Sequence, residues 1–184
     1  MENAKPAYLR AIFAMMINPK SAMTSYLSGM PWLFAAAVSG LAFGLFFAQT
    51  ALDLYNTGQK GFDYVLMATG AGLFYGIIVI SLIGAVAGLI LKAAGNDRPL
   101  KWTVTTFCLS YSGALIYGTL GLLFSLAFGW RTAVAFGVTG VLWAMHPLLA
   151  VNDELTGQRR LASGLLTALL GCVMLVGWSL LGTH

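Results

Sequence analysis

Five stretches of this chain contain no Asp, Glu, Lys or Arg: Pro31 to Leu52, Tyr64 to Leu91, Trp102 to Trp130, Thr132 to Val151, and Leu161 to the C-terminal end. Each exceeds the roughly 18 apolar residues that suggest a bilayer crossing. At a helical rise of 1.5 Å, about 20 residues cover a hydrocarbon core of about 30 Å. The expectation is an all-α polytopic membrane protein, a bundle of about five transmembrane helices preceded by a short amphipathic N-terminal segment. The segment takes residues 1–29 and the transmembrane domain 30–184, with spans at about 31–52, 65–91, 103–129, 132–151 and 161–182. The second and third runs are longer than a crossing needs, so each is expected to tilt, bend or project past the lipid as a single span.

A strand barrel would also satisfy its backbone in lipid, but it needs segments of about ten residues alternating apolar and polar side chains. No such alternation occurs here. The chain is 59% hydrophobic and 9% charged, whereas a soluble domain carries about a quarter charged residues. Water cannot be faced with so few charges.

Short loops on the cytoplasmic side of a membrane hold an excess of Lys and Arg. One side of the expected bundle collects Lys5, Arg10, Lys20, Lys92, Arg98, Lys101, Arg159 and Arg160, and the other has Lys60 and Arg131. That imbalance predicts a cytoplasmic N-terminus and, with five spans, an extracytoplasmic C-terminus. Trp32 and Trp102 then open spans on the inner side, while Tyr55, Tyr64, Trp130 and Trp178 lie near outer ends, where amphipathic rings prefer the headgroup level. Trp143 fits neither belt and is expected to pack between helices.

The first 29 residues are too weakly apolar for a cleaved signal and are expected to stay in the mature chain. Leu9, Ile12, Phe13 and Met16 repeat at helical spacing, as do Met23, Tyr26, Leu27 and Met30. Asn18 and Pro19 between them suit a helix cap and first helical position. Two short helices follow, either lying in the headgroup zone or packed on the bundle.

Helices in lipid gain no hydrophobic drive to associate, so close approach at small residues matters more than in water. The first span carries Ala36, Gly40, Gly44 and Ala48 at four-residue spacing, and the second Gly72, Gly76, Gly84 and Gly88. These stripes are the expected tight contacts. Gly118, Gly121, Gly137 and Gly140 are placed to let the third and fourth spans approach, joined as they are by a short hairpin around Gly129, Trp130 and Arg131.

Every acidic residue lies outside the expected spans, which argues against proton-driven transport. His146 is the one histidine within a span and precedes Pro147; the expectation is a bond to a neighbouring hydroxyl or carbonyl. Ser110, Ser112, Tyr117 and His146 are the candidates for a polar path. Ser110 to Gly113 is similar to the serine motif of rhomboid proteases, but Ser112 and His146 sit at depths differing by roughly 6 Å, which disfavours a catalytic pair. Cys108 and Cys172 fall within apolar runs and suit small buried hydrophobes. No phosphate loop, dinucleotide fingerprint or zinc-protease motif is present. No cofactor, metal or catalytic residue is assigned, and the net charge of +4 suits anionic headgroups rather than nucleic acid.

The segment Ile17, Asn18, Pro19, Lys20 ahead of the first span, the five spans, and the stretch from Ser110 to Gly118 together give a layout that resembles the Yip family of small polytopic membrane proteins, in its bacterial form. The resemblance implies a non-enzymatic helical bundle of the inner membrane, acting in membrane organisation, protein assembly or lipid handling. Its expected partners are membrane lipids and a membrane protein or a second copy of the chain. The alternative expectation is a small transporter or permease component for a neutral solute or lipid.

Overall fold

The computed structural model describes residues 8–27 and 29–182, excepting the side chains of Trp178 and residues 180–182. The protein is all-α, with no strand among the described residues. Five helices are long and apolar enough to cross a bilayer. Two short helices precede them, α1 (Tyr8–Ile17) and α2 (Pro19–Ser25). The first span is α3 (Trp32–Asn56). The second joins α4 (Phe62–Phe74) through a π-helical turn at Tyr75–Val79 to α5 (Ile80–Ala93). The third comprises α6 (Leu100–Leu109) and α7 (Ser112–Phe128). The fourth opens with a π-helical Ala133–Val138 and continues as α8 (Thr139–Leu155), and the fifth is α9 (Arg160–Gly182).

The two longest runs do not cross as plain α-helices. The third breaks between Leu109 and Ser112, where serine hydroxyls turn back onto the helix. Ser110 Oγ donates to the Thr106 carbonyl at 2.8 Å and Ser112 Oγ to the Leu109 carbonyl at 2.6 Å. Such back-bonding bends helices. The second is re-registered by the π turn at Tyr75–Val79, in which the chain gains a residue without leaving the helix.

α3 is the hub, with about half of its residues buried, whereas most residues of the second span are not. Its small residues admit the second span. A Cβ on Gly72 would stand 2.5 Å from the Phe43 carbonyl oxygen, and one on Gly76 would stand 2.6 Å from the Gly40 Cα and nearer still to the Ser39 carbonyl. Ile77 and Leu73 fill the facing space over Gly40 and Gly44. Ser39 Oγ completes the joint by donating to the Gly76 carbonyl at 2.7 Å.

The second glycine pair behaves differently. Gly84 lies against Phe107 and Gly88 against Thr103, both on α6. A four-residue stripe drifts about 40° per step around a 3.6-residue helix, and the π turn intervenes, so one stripe serves two partners. The outer glycines also look mainly to the hub. Gly118 meets Leu45, Gly137 meets Phe46, and Gly121 meets Gln49 as well as Phe136, whereas Gly140 sits over Ala114 at the third-to-fourth contact.

Gln49 ties three spans together. Wholly buried, it donates from Nε2 to the Gly118 carbonyl at 2.8 Å and accepts from Thr132 Oγ1 at 3.3 Å. Beside it, an Asp53 carboxylate oxygen accepts the Ala133 amide at 3.2 Å, meeting the exposed donors at the start of a helix. Gln49→Leu should lower stability in detergent by about 1 to 2 kcal/mol, the upper range for interhelical hydrogen bonds in membrane proteins. An unfolding titration matching the parent would show that this junction is not structural.

Cys108 is buried as expected, but Cys172 is exposed on α9. An apolar run supplies no signal for which of its faces meets lipid, so the two cysteines could not be separated by sequence.

Candidate functional site

Residues 8–25 form an arm that lies on the bundle rather than trailing from it. Asn18 separates its helices, its side-chain oxygen accepting the Ser21 amide at 3.2 Å, with Pro19 as the first residue of α2. That cap fixes the bend between α1 and α2. α1 packs on α7 and α8, and α2 on α8.

The face that α1 buries is not the expected one. Ala11, Ile12 and Met15 are buried, whereas Leu9, Phe13 and Ile17 are exposed, the first and last at 72%. Of the set Leu9, Ile12, Phe13 and Met16, only Ile12 reaches the core. From Ala11 to Ile17 the helix has no polar residue, so its periodicity selects no face. The docking surface selects instead, favouring the small side chain of Ala11 and the pliable one of Met15. The second expected set is inward, although only Met23 belongs to α2: Met23, and Tyr26 and Leu27 just past the helix end, pack against the core, and Met30 is buried.

Trp143 is the clamp. Its indole N–H donates to the Met16 carbonyl at 3.4 Å, and its ring lies 5.9 Å from that of Tyr117. Gly113 makes room for it: a Cβ there would stand 2.8 Å from the indole Cδ1. At the other end of α1, the Tyr8 ring lies 4.5 Å from Phe34, near the start of the first span. Trp143 precedes Asp153 by positions that amount to about 15 Å at 1.5 Å per residue. The arm thus runs about that far along α8 from the charged end, and the side chains it turns outward there are apolar. Met16, Ile17, Thr139, Leu142, Trp143 and His146 enclose an open groove of about 510 Å³ at this depth.

The four polar-path residues do not converge. Ser110 and Ser112 are buried and bonded to carbonyls of their own helix. Tyr117 is half-buried beneath Trp143, and His146 is exposed on the outer face of α8, without a hydrogen bond among the described residues. The expected partner of His146 is therefore not found. Val141, Ala144 and Leu148 turn inward, which leaves Leu142, His146 and Leu149 on the opposite side of the helix.

Sequence reasoning missed a different polar group at the bundle centre. Tyr111 is wholly buried, with its hydroxyl unpartnered among the described residues. The Phe43 ring stands 5.0 Å from both Tyr111 and Tyr75, and Tyr75 donates to Met174 Sδ at 3.4 Å. Ser81 and Cys108 meet at 3.5 Å. These groups gather where the π turn faces the break in the third span. The only advance signal was Ser110 to Gly113, a polar run within an apolar stretch.

No protein-family profile, curated protein or solved structure matches this chain.

Proposed function

We propose that this chain is a non-enzymatic Yip-type protein of the inner membrane, organising the bilayer through lipid contacts, with its arm lodged in the cytoplasmic leaflet. The observation that carries this proposal is the arm's position: α1 and α2 add cross-section at one end of the bundle, and α1 presents Leu9, Phe13 and Ile17 outward. A protein wider in one leaflet than in the other acts as a wedge. Seven of the nine Lys and Arg residues among the described residues belong to the arm end, and the charge rule for short loops assigns that end to the cytoplasm and the C-terminus to the opposite side. Partner proteins or a second copy would meet the outward face of the arm or of α9.

The polar-path alternative draws no support from the placement of Ser110, Ser112, Tyr117 and His146. The two serine hydroxyls are spent on carbonyls of the third span itself, the Tyr117 ring packs against Trp143, and His146 faces outward.

The test places a nitroxide at Phe13→Cys or Ile17→Cys in a Cys172→Ser background, reconstituted in vesicles. Collisions with oxygen, which concentrates in lipid, should exceed those with a water-soluble nickel chelate at both sites, and the ratio should reverse at Lys20→Cys. Preferential access of the nickel chelate to position 17 would remove the arm from the leaflet and end the proposal.

A further inference from the structure

At the arm end, a cleft of about 450 Å³ opens between α2 and the ends of the third and fourth spans. Its lining divides by chemistry. Lys20 and Arg98 supply two cations, Asp153 and Glu154 two carboxylates, and Trp102 and Leu27 part of an apolar wall.

The charged groups are only partly engaged. Arg98 pairs with Glu154 through one nitrogen and lies 5.0 Å from the centroid of the Trp102 ring. That leaves further donors on the five-donor guanidinium fork. Asp153 accepts the Ser163 hydroxyl on one oxygen, and Glu154 uses one oxygen for Arg98. Each carboxylate retains a second. Lys20 is exposed and has no ion-pair partner among the described residues.

The geometry points to a binding site for the headgroup of a zwitterionic phospholipid that carries a primary amine. The phosphate meets Lys20 and the remaining Arg98 donors, the ammonium meets the carboxylates of Asp153 and Glu154, and the glycerol end rests on Trp102 and Leu27. Charge balance selects this class. Two positive and two negative side chains give a neutral cleft, which matches a neutral headgroup with separated charges. An anionic lipid would bring its phosphate to the same place and offer no donor cation to the free oxygens of Asp153 and Glu154, at a cost. A quaternary amine has no N–H to donate. The level is also right for a headgroup, because the cleft lies where the charge-free helices end and Trp102 opens the third span.

The site rests on the proposal that the arm end meets lipid, and the experiment separates the two. The full chain in mild detergent is offered equal amounts of phosphatidylethanolamine, phosphatidylcholine and phosphatidylglycerol, and retained lipid is read by native mass spectrometry. Phosphatidylethanolamine should be retained about tenfold over each of the others, the scale of one charge-assisted hydrogen bond. Lys20→Ala, at an exposed position, should lose that retention while melting at the parent temperature. Glu154→Gln should narrow the preference over phosphatidylglycerol, and inorganic phosphate at millimolar concentration should displace little lipid.

Equal retention of the three lipids, tighter phosphatidylglycerol, full displacement by phosphate, or an unaffected Lys20→Ala would each overturn the site. With position 17 still buried in lipid by the nitroxide test, such a result removes the headgroup site alone. Position 17 in water removes the underlying proposal as well.

Discussion

Gly76→Ala should destabilise the protein by about 3 kcal/mol, at the upper end of the usual overpacking cost. The added Cβ would fall against the Ser39 carbonyl and 2.6 Å from the Gly40 Cα. Both obstacles are backbone, so no rotamer change relieves the clash and the helices themselves must part. Separation would also stretch the Ser39 hydrogen bond to the Gly76 carbonyl and open the Phe43 and Tyr75 ring contact nearby. Gly70→Ala provides the reference, because nothing lies within 4 Å of its added Cβ. Relief of glycine's poor helix propensity should leave that variant neutral or stabilised by up to about 1 kcal/mol. Unfolding in mixed detergent micelles measures both. Equal stabilities for the pair would mean that the first and second spans do not meet at these glycines.

Trp143→Ala should release the arm while sparing the bundle. It removes the hydrogen bond to the Met16 carbonyl and the indole wall of the groove that Met16 and Ile17 share with it. The expected cost to docking is about 2 kcal/mol, about half from the hydrogen bond and half from aromatic contact. Lipid competes for the apolar surface, so the burial contribution is smaller than in a water-soluble core. Loss of that amount raises the undocked population by a factor of about 30. Cleavage by trypsin after Lys20 should accelerate accordingly in detergent, with the transmembrane fragment remaining intact. Trp143→Phe keeps the ring and loses the donor, and should fall between. If Trp143→Ala is cut no faster than the parent, the clamp assigned to this residue is wrong.

The contrast between these two sites explains what was legible in the linear chain. Five spans could be read because absence of charge over about 20 residues is a property of each segment alone. The small residues of the first joint, Gly40, Gly44, Gly72 and Gly76, were also visible as a spacing. The partner of Gly84 and Gly88 was not, since a stripe records closeness without naming what approaches. Nor was the role of Trp143, because the residue it holds lies 127 positions away in the chain.

The arm shows the same division within one helix. α2 kept its expected face because Ser21 and Ser25 mark the other side. α1 did not, because from Ala11 onward it is apolar on every side. Ser110, Ser112, Tyr117 and His146 drew notice as polar residues in apolar surroundings, yet the direction of each side chain depends on the break at Ser110 and Tyr111 and on which face of α8 meets the hub.

The sequence by itself determined that the chain is helical, that it crosses a bilayer, and where its charges accumulate, because solvation of an uncharged segment depends only on that segment. Tertiary structure decided which faces pair, that the arm packs beside Trp143, and that Lys20 and Arg98 share a cleft with Asp153 and Glu154. These depend on contacts between segments distant in the chain, and in lipid, where apolarity does not distinguish inside from outside, only shape and hydrogen bonding select among them.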